Sequence, residues 1–555
     1  MEQGGLASAE KVSVTFSPFG WHYIMRMNPI LRTSLLLMLT VFLFSAAAAA
    51  GQEASAPSLP AGIGLLDVVR TTIARNPNVS IQKQQVESSR GALQQASGKF
   101  DETLGLSLNR QTADSPLNSS LSPYFSPPFN KQDTTGYTVS LTRQLRSGIT
   151  LLPSLSMTRA EATSPYAFQA QGVSTENQGV VSFSVIVPLL KGLGEDVAAA
   201  GESSARNTYE ADRLYLNYTV AQNVFNTVQS YWSYVTAVKR LAIFVESEQS
   251  AQTLLASTRK LIEHDQRPAA SISLTEANLS SKRASRIAAE QALSDARKDL
   301  GLNMGLSAAE IVRLALPAGN EIAEKDAIMI PGPDKDQYFI DMSLERRTDL
   351  KSLLSRQEAA KIGKIAAQKN MLPQLDLNLQ AGYNSLSEKN AFGDYLTAYG
   401  NNASGLNTTA VLQYIWPVRN NDARGYYVQQ KANYEKAAIN VARTSDTIGA
   451  GVANALSSLR KMSLQLTETK ASVLSYRKAV ENELKRFTLG QSTLNDVITN
   501  ENYLVSARLD EATSFQNVAG AIITLRFQTG TIISPGTETF TISLKELTSV
   551  PETTH

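Results

Sequence analysis

Strict alternation of apolar and small polar residues marks several short segments of this chain. Leu104, Leu106 and Leu108 alternate with Gly105, Ser107 and Asn109, and Tyr137, Val139 and Leu141 alternate with Thr138, Ser140 and Thr142. Val181, Phe183, Val185 and Val187 enclose Ser182 and Ser184. Farther along, Leu375, Leu377 and Leu379 alternate with Asp376, Asn378 and Gln380, and Leu412, Tyr414 and Trp416 form a returning strand. Period two with one apolar and one polar face predicts half-buried strands. A soluble sandwich and a transmembrane barrel, whose strands need about 9–11 residues, both accommodate this pattern.

The remainder is patterned as helix of unusual length. Residues 422–487 contain no proline, and Ile448, Val452, Ala455, Leu459, Met462, Leu466, Val473, Tyr476, Val480 and Phe487 follow heptad spacing with Thr469 and Glu483 in the gaps. A similarly unbroken, alanine-rich stretch covers about 197–264. At 1.5 Å rise per residue each spans roughly 100 Å. Shorter helical stretches are predicted at about 63–100, 269–304, 341–371 and 494–529. Two of these end to end nearly equal one long helix, so a broken helix is expected beside a continuous one, twice per chain. Tyr231, Trp232 and Tyr234 read as helix packing rather than a stacking platform.

The order of these elements repeats. Asn76-Pro77-Asn78-Val79 leads to Phe100-Asp101-Glu102-Thr103-Leu104, and Arg347-Thr348-Asp349-Leu350 leads to Met371-Leu372-Pro373-Gln374-Leu375. Strands run into proline before a long helix at Pro188 and again at Pro417. Such internal repetition governs the architecture. The expected division is a leader and signal peptide at 1–50, a first repeat at 51–305, a linker or equatorial segment at 306–340, a second repeat at 341–530 and a tail at 531–555. Tyr137 to Leu145, the turn Arg146-Ser147-Gly148 and Ile149 to Met157 form a hairpin that the second half lacks.

Composition narrows the function. A net charge of +2 is too balanced to suggest a nucleic-acid partner. The absence of cysteine excludes disulfides, thiolate metal sites and cysteine nucleophiles, and only His264 of three histidines lies in the body of the chain. No metal constellation, cofactor or catalytic cluster is therefore expected, and an enzyme is disfavoured. Arg26 and Arg32 precede the apolar run 35–44 and the alanines 46–50, a secretory signal with cleavage expected after Ala50. The competing reading is an uncleaved anchor over 33–50, and Met25 or Met27 would give an ordinary start. Export tips the strand pattern from sandwich to barrel.

An exported, duplicated chain of heptad helices carrying short strand pairs resembles the TolC-type outer-membrane efflux proteins over about 63–530. The marks are the Asn76-Pro77 opening, Arg347-x-Asp349-Leu350, Met371-Leu372-Pro373-Gln374-Leu375 entering a strand, Tyr414-Ile415-Trp416-Pro417 leaving one, and the tip-like Leu489-Gly490-Gln491-Ser492-Thr493-Leu494-Asn495-Asp496-Val497. The resemblance implies a mostly α fold with β: long antiparallel helical hairpins forming a periplasmic α-barrel, and a transmembrane β-barrel shared by a homotrimer in outer-membrane lipid. It implies the outer-membrane channel of a tripartite efflux or type I secretion system, with a periplasmic adaptor (membrane fusion protein) and an inner-membrane transporter as partners. Four strands per chain would give the family's twelve-stranded barrel. The added hairpin would either raise this to eighteen or project as an extracellular or periplasmic flap; the flap is the favoured expectation, because Pro153 interrupts one of its strands and proline removes a ladder donor.

The resemblance also implies a gate at the tip, with Gly490 in its turn. Family members ring the periplasmic entrance with aspartates one turn apart; Asp496 falls at the first such position and Thr499 at the second, so cation selectivity should be weaker here. The competing reading of Asp496 is a helix-start carboxylate favoured by the macrodipole. Ser492 stands where some members carry a latching arginine, Phe487 replaces a nearby tyrosine, and Arg267 in the first tip is a candidate latch cation from the opposite hairpin. Two other readings remain. A surface coiled-coil scaffold or adhesin explains the heptads but not the strand pairs, and a passive porin would devote its chain to strands.

Overall fold

The computed structural model describes residues 62–120, 122–124, 129–163, 174–264, 268–318, 330–388, 405–533 and 542–552, together with Gly393, Tyr399 and Phe540. The leader at 1–50 and Arg267 lie outside the described residues.

Two helices are broken where the sequence withdraws a helical conformation. Helix α1 (Leu65–Arg75) stops at Asn76, which is extended at φ −63°, ψ 126°, and α2 (Pro77–Ser97) begins on Pro77, whose missing N–H is harmless at a first helical position. The long α3 (Ala200–Glu263, 64 residues) and α4 (Ser271–Met304) follow the first strands. After the short α5 (Ala308–Val312), α6 (Asp336–Arg346) and α7 (Thr348–Lys369) are separated at Arg347, again extended at ψ 116°. The second long helix α8 (Asn421–Thr488, 68 residues), α9 (Leu494–Gln528) and α10 (Leu544–Thr548) complete the series.

Each long helix has shorter helices beside it as expected, but the stretches 63–100 and 341–371, each expected to be one helix, are divided at Asn76 and Arg347. Helix α3 packs along α1, α2 and α4, and α8 packs along α6, α7 and α9. On the α8 seam, Ile448, Val452, Ala455, Leu459, Val473, Val480 and Phe487 are buried, and Val452, Leu456 and Leu459 meet Val518, Ile522 and Leu525 of α9. A larger core gathers Tyr231, Trp232 and Tyr234 of α3 with Val68 and Val69 of α1, Leu300 and Met304 of α4, Ile523 of α9 and Leu547 of α10. The aromatics are therefore packing residues, and the C-terminal segment is part of this core. Buried Arg526 holds that segment through the carbonyl of Ser549 at 2.5 Å and its hydroxyl at 3.0 Å.

Among the described residues, six strands lie in one antiparallel sheet in chain order: β1 (Thr103–Pro116), β2 (Phe129–Gln144), β3 (Thr150–Thr163), β4 (Ser174–Pro188), β5 (Gln374–Ser387) and β6 (Asn407–Ile415). This corrects the expectation of a flap: the added hairpin β2–β3 is built into the sheet between β1 and β4. Pro153 does interrupt a ladder, since pairing of β2 with β3 skips from Ser140–Ser154 to Arg143–Leu151. On its other side Pro153 stays in register opposite Phe183, so the missing donor opens a local gap without expelling the strand.

Candidate functional site

Register sorts the sheet into two chemically distinct faces. One row across it reads Leu106, Val139, Leu155, Val181, Tyr383, and the row beside it on the opposite face reads Gly105, Ser140, Ser154, Ser182, Gly382. Leu104, Leu106 and Leu108 are 72%, 67% and 78% exposed, which is costly in water and favourable against lipid. Farther from the helices the apolar face gives way to the row Arg110, Thr135, Arg159, Asn177, Ser387. At its helix-proximal border, Tyr414 and Trp416 are exposed where interfacial aromatics are expected. The outer edges of β1 and β6 have no neighbour in this sheet.

Strands and helices join at the predicted prolines. Pro188 is the last residue of β4, opposite Asp376, and Pro417 lies between β6 and α8. The joints at the middle of the broken helices carry the sequence marks noted above. The Asn76 side chain accepts from the Asn78 N–H at 2.8 Å and donates to the Asn303 carbonyl at 2.7 Å, tying the break to the end of α4. Arg347 grips Asp349 through Nε at 2.8 Å and Nη2 at 2.6 Å, reaches the Gln528 side chain at 3.2 Å, and stacks on Phe527 at 5.0 Å, tying the second break to the end of α9.

Beside the first joint, Arg75 holds Glu310 at 2.7 Å and 3.0 Å, and Ser307 caps α5 on the same carboxylate. The Arg75 hydrogen bond first, then those of Ser307, take the Glu310 carboxyl from 4.5 down to about 2. A lowered folded-state value means its contribution is complete above the ordinary value and lost as pH falls through the folded one. The gap in thermal midpoint between the wild type and Glu310→Gln should therefore shrink between about pH 4.5 and pH 2. A gap independent of pH in that window would remove the ion pair from the account.

At the far end of the helices, α8 ends in a Schellman turn: Gly490 is left-handed at φ +72°, Gln491 N–H donates to Arg486 O at 2.8 Å and Gly490 N–H to Phe487 O at 3.1 Å. Thr493 then caps α9. The Asp496 carboxylate accepts from Thr493 Oγ1 at 2.6 Å and Thr493 N–H at 3.1 Å, and its own N–H donates to Thr493 Oγ1 at 3.2 Å. These bonds, the Thr493 hydroxyl first, hold the Asp496 carboxyl below its usual range. Asp496 is exposed and Thr499 half-buried. Ser492 is buried, its hydroxyl donating to Glu483, which also pairs with Arg486 at 3.1 Å. Phe487 is buried with Leu254, Leu494, Val497 and Ile498, so it packs the tip from within.

Glu483 and Arg486 are the tip residues whose roles were not drawn from the sequence, although a glutamate in an apolar heptad seam was the available signal. A groove of about 850 Å³ runs between the ends of α3 and α8, lined by Leu254, Lys260, His264, Phe487 and Glu501. Burial raises the Glu501 carboxyl above its usual range. Nearby, Lys282 of α4 donates to Asn502 of α9 at 2.6 Å, linking the two hairpins.

The comparisons with known proteins agree with this geometry. Residues 339–531 match the family model described as outer membrane efflux protein. Over residues 339–531 the chain is similar to the outer membrane efflux proteins. No curated protein sequence matches the chain. Among solved structures, the CmeC outer membrane channel of Campylobacter jejuni aligns with a TM-score of 0.59 at 15% identity, covering 87% of this chain and 90% of that one. CusC aligns with a TM-score of 0.60 at 13% identity, covering 87% and 95%. The outer membrane protein VceC of Vibrio cholerae aligns at 0.58 and 13% identity, covering 84% and 96%. At such identities the likeness is one of fold, and it takes in both halves around the matched residues. A match to outer membrane efflux proteins is a match to a transport family and not to an enzyme. Among the described residues, no helix is long and apolar enough to cross a membrane.

Proposed function

We propose that this protein is the outer-membrane channel of a tripartite efflux or type I secretion system: a homotrimeric duct, built from two repeats per chain, that carries cargo from pump and periplasm to the exterior. The observation that carries the reading is the single sheet, apolar on one face, polar on the other and open at both edges, set end-on to helices roughly 100 Å long. Open edges cannot face lipid, so a sheet of this kind needs further copies to close it. The polar face then lines the lumen, the helices extend into the periplasm, and the tips meet a periplasmic adaptor whose inner-membrane transporter sets cargo specificity. The groove between α3 and α8 is the proposed seat for an adaptor hairpin.

Gating is assigned to the tip. Three copies of Asp496 around the entrance would favour cations, with Thr499 one turn on, and the Glu483, Arg486 and Ser492 cluster would stiffen the turn that carries them. Planar-bilayer conductance of wild type and Asp496→Ala, with oligomeric mass from the same preparation, tests both parts. A trimer whose small, cation-selective conductance rises or loses selectivity in the variant is the expected result. The substitution removes only the return bonds of the capping box to the Asp496 carboxylate and leaves the Thr493 cap on the backbone N–H in place. A trimer indifferent to the substitution would move the gate elsewhere, and a non-conducting monomer or dimer would end the duct reading.

A further inference from the structure

We infer that the added hairpin β2–β3 is a wall element of the membrane duct, so that three copies of this chain close an eighteen-stranded barrel rather than a twelve-stranded one. The inference rests on the trimeric reading above and concerns what each chain contributes to it. The hairpin is paired on both sides, with β1 along all of Thr103–Pro116 and with β4 from Thr150–Ile186 to Ala162–Ser174. Its side chains continue the two faces without a change of phase: Val139 and Leu155 lie in the apolar row, Ser140 and Ser154 in the polar one. A flap would have no need of either property.

Perimeter explains why two more strands fit. At the junction the helices form one layer in the order α2, α3, α7, α8, each packed on the next. Four helices at 8–10 Å spacing occupy about 32–40 Å. Four strands at about 4.8 Å, tilted about 40°, occupy only about 25 Å, whereas six occupy about 38 Å. Six strands per chain thus match the arc of the helices that carry them. The barrel would be about 36 Å across its backbone instead of about 24 Å. Such an exit is of porin width and leaves the tip as the constriction.

The hairpin is also fastened where this match requires it. It has no helix of its own, and its turn sits on the ends of the two helices between which it is inserted. Arg146 donates to Glu202 of α3 through Nε at 2.7 Å and Nη2 at 2.8 Å and lies 4.9 Å over the Phe100 ring that follows α2. Ser97 of α2 donates to the same buried Glu202 at 3.1 Å. Ser147 O accepts from Gly194 N–H at 3.0 Å, and Gly148, at φ +95°, lies so close to the Gly192 carbonyl that any side chain would collide with it.

The absence of native cysteine allows a direct test on the full chain reconstituted in vesicles. Single cysteines are placed at Val139, Ser140, Leu155 and Ser156 of the hairpin, and at Asn378 and Leu379 of β5 as the reference, and reacted with a charged methanethiosulfonate. A thiol facing lipid stays protonated and out of reach, so Ser140→Cys, Ser156→Cys and Asn378→Cys should label at least about tenfold faster than Val139→Cys, Leu155→Cys and Leu379→Cys. With a mass of three chains, that result supports eighteen strands. Fast labelling at all four hairpin positions with alternation kept on β5 would put the hairpin outside the wall and overturn the inference alone. Alternation throughout with another chain number would overturn the strand count. Loss of alternation on β5 would bring down the duct reading itself.

Discussion

Trp232→Ala is expected to lower the thermal unfolding midpoint more than any other side-chain truncation in the helical region, at about 3–5 kcal/mol. The indole is 1% exposed and stands edge-on to Tyr231 at 5.5 Å and Phe515 at 5.8 Å, in the core that joins α1, α3, α4, α9 and the C-terminal segment. Its N–H has no hydrogen-bond partner among the described residues, so the loss is one of packing and of the cavity left behind. Long helices confine the cavity, because neither α3 nor α4 can shift locally without moving a whole hairpin. Val245→Ala, on the same helix but 45% exposed, should change the midpoint little. Circular dichroism during heating of the detergent-purified protein distinguishes them. Equal effects at 232 and 245 would mean that this core does not hold the two halves together.

Much of the fold was legible because its two periodicities are long and clean. Heptads placed α8 over 422–487 against the observed Asn421–Thr488, period two located β1, β2, β4, β5 and β6, and the turn Arg146-Ser147-Gly148 located β3. Strand lengths were not legible. Beyond Arg110 on β1 and before Thr135 on β2 both faces turn polar, alternation disappears, and only cross-strand pairing reveals that β1 reaches Pro116. Pro153 misled for a different reason: the rule that proline leaves central strands is about a single lost donor, and here one ladder opened while the other stayed in register.

The site was legible as motifs more than as roles. Asn76 and Arg347 stood out as marks, but their function depends on partners far along the chain, the Asn303 carbonyl and Gln528, which local pattern cannot supply. At the tip, Asp496 is engaged by Thr493 as the helix-start reading anticipated, and its part in a gate remains the proposal above. Phe487, read as a gate neighbour because it replaces a tyrosine, is buried among aliphatic side chains where a hydroxyl would need a partner. The seam position of Phe487 already pointed inward.

Gly305→Ala and Gly490→Ala should differ sharply although both residues are left-handed, at φ +74° and +72°. Each substitution pays the cost of placing a Cβ in that conformation, about 1 kcal/mol. Nothing lies within 4 Å of a Cβ at Gly490, so the cost there ends with the backbone. At Gly305 a Cβ would fall 2.5 Å from the Arg75 carbonyl oxygen and 3.0 Å from the Asn76 Cα, and these are main-chain atoms at the break between α1 and α2. Relief requires moving that joint, adding about 1–3 kcal/mol for overpacking. Gly530 makes the corresponding approach to Arg346 and Arg347 at 3.2 Å and should fall between the two. Unfolding midpoints should therefore drop least for Gly490→Ala, more for Gly530→Ala and most for Gly305→Ala, with protease cleavage near residues 75–77 accelerated only in the last. Equal losses at 305 and 490 would show that the joint yields freely. The close seating of each helix end against a break would then have no part in fixing the angle between the upper and lower halves of the broken helices.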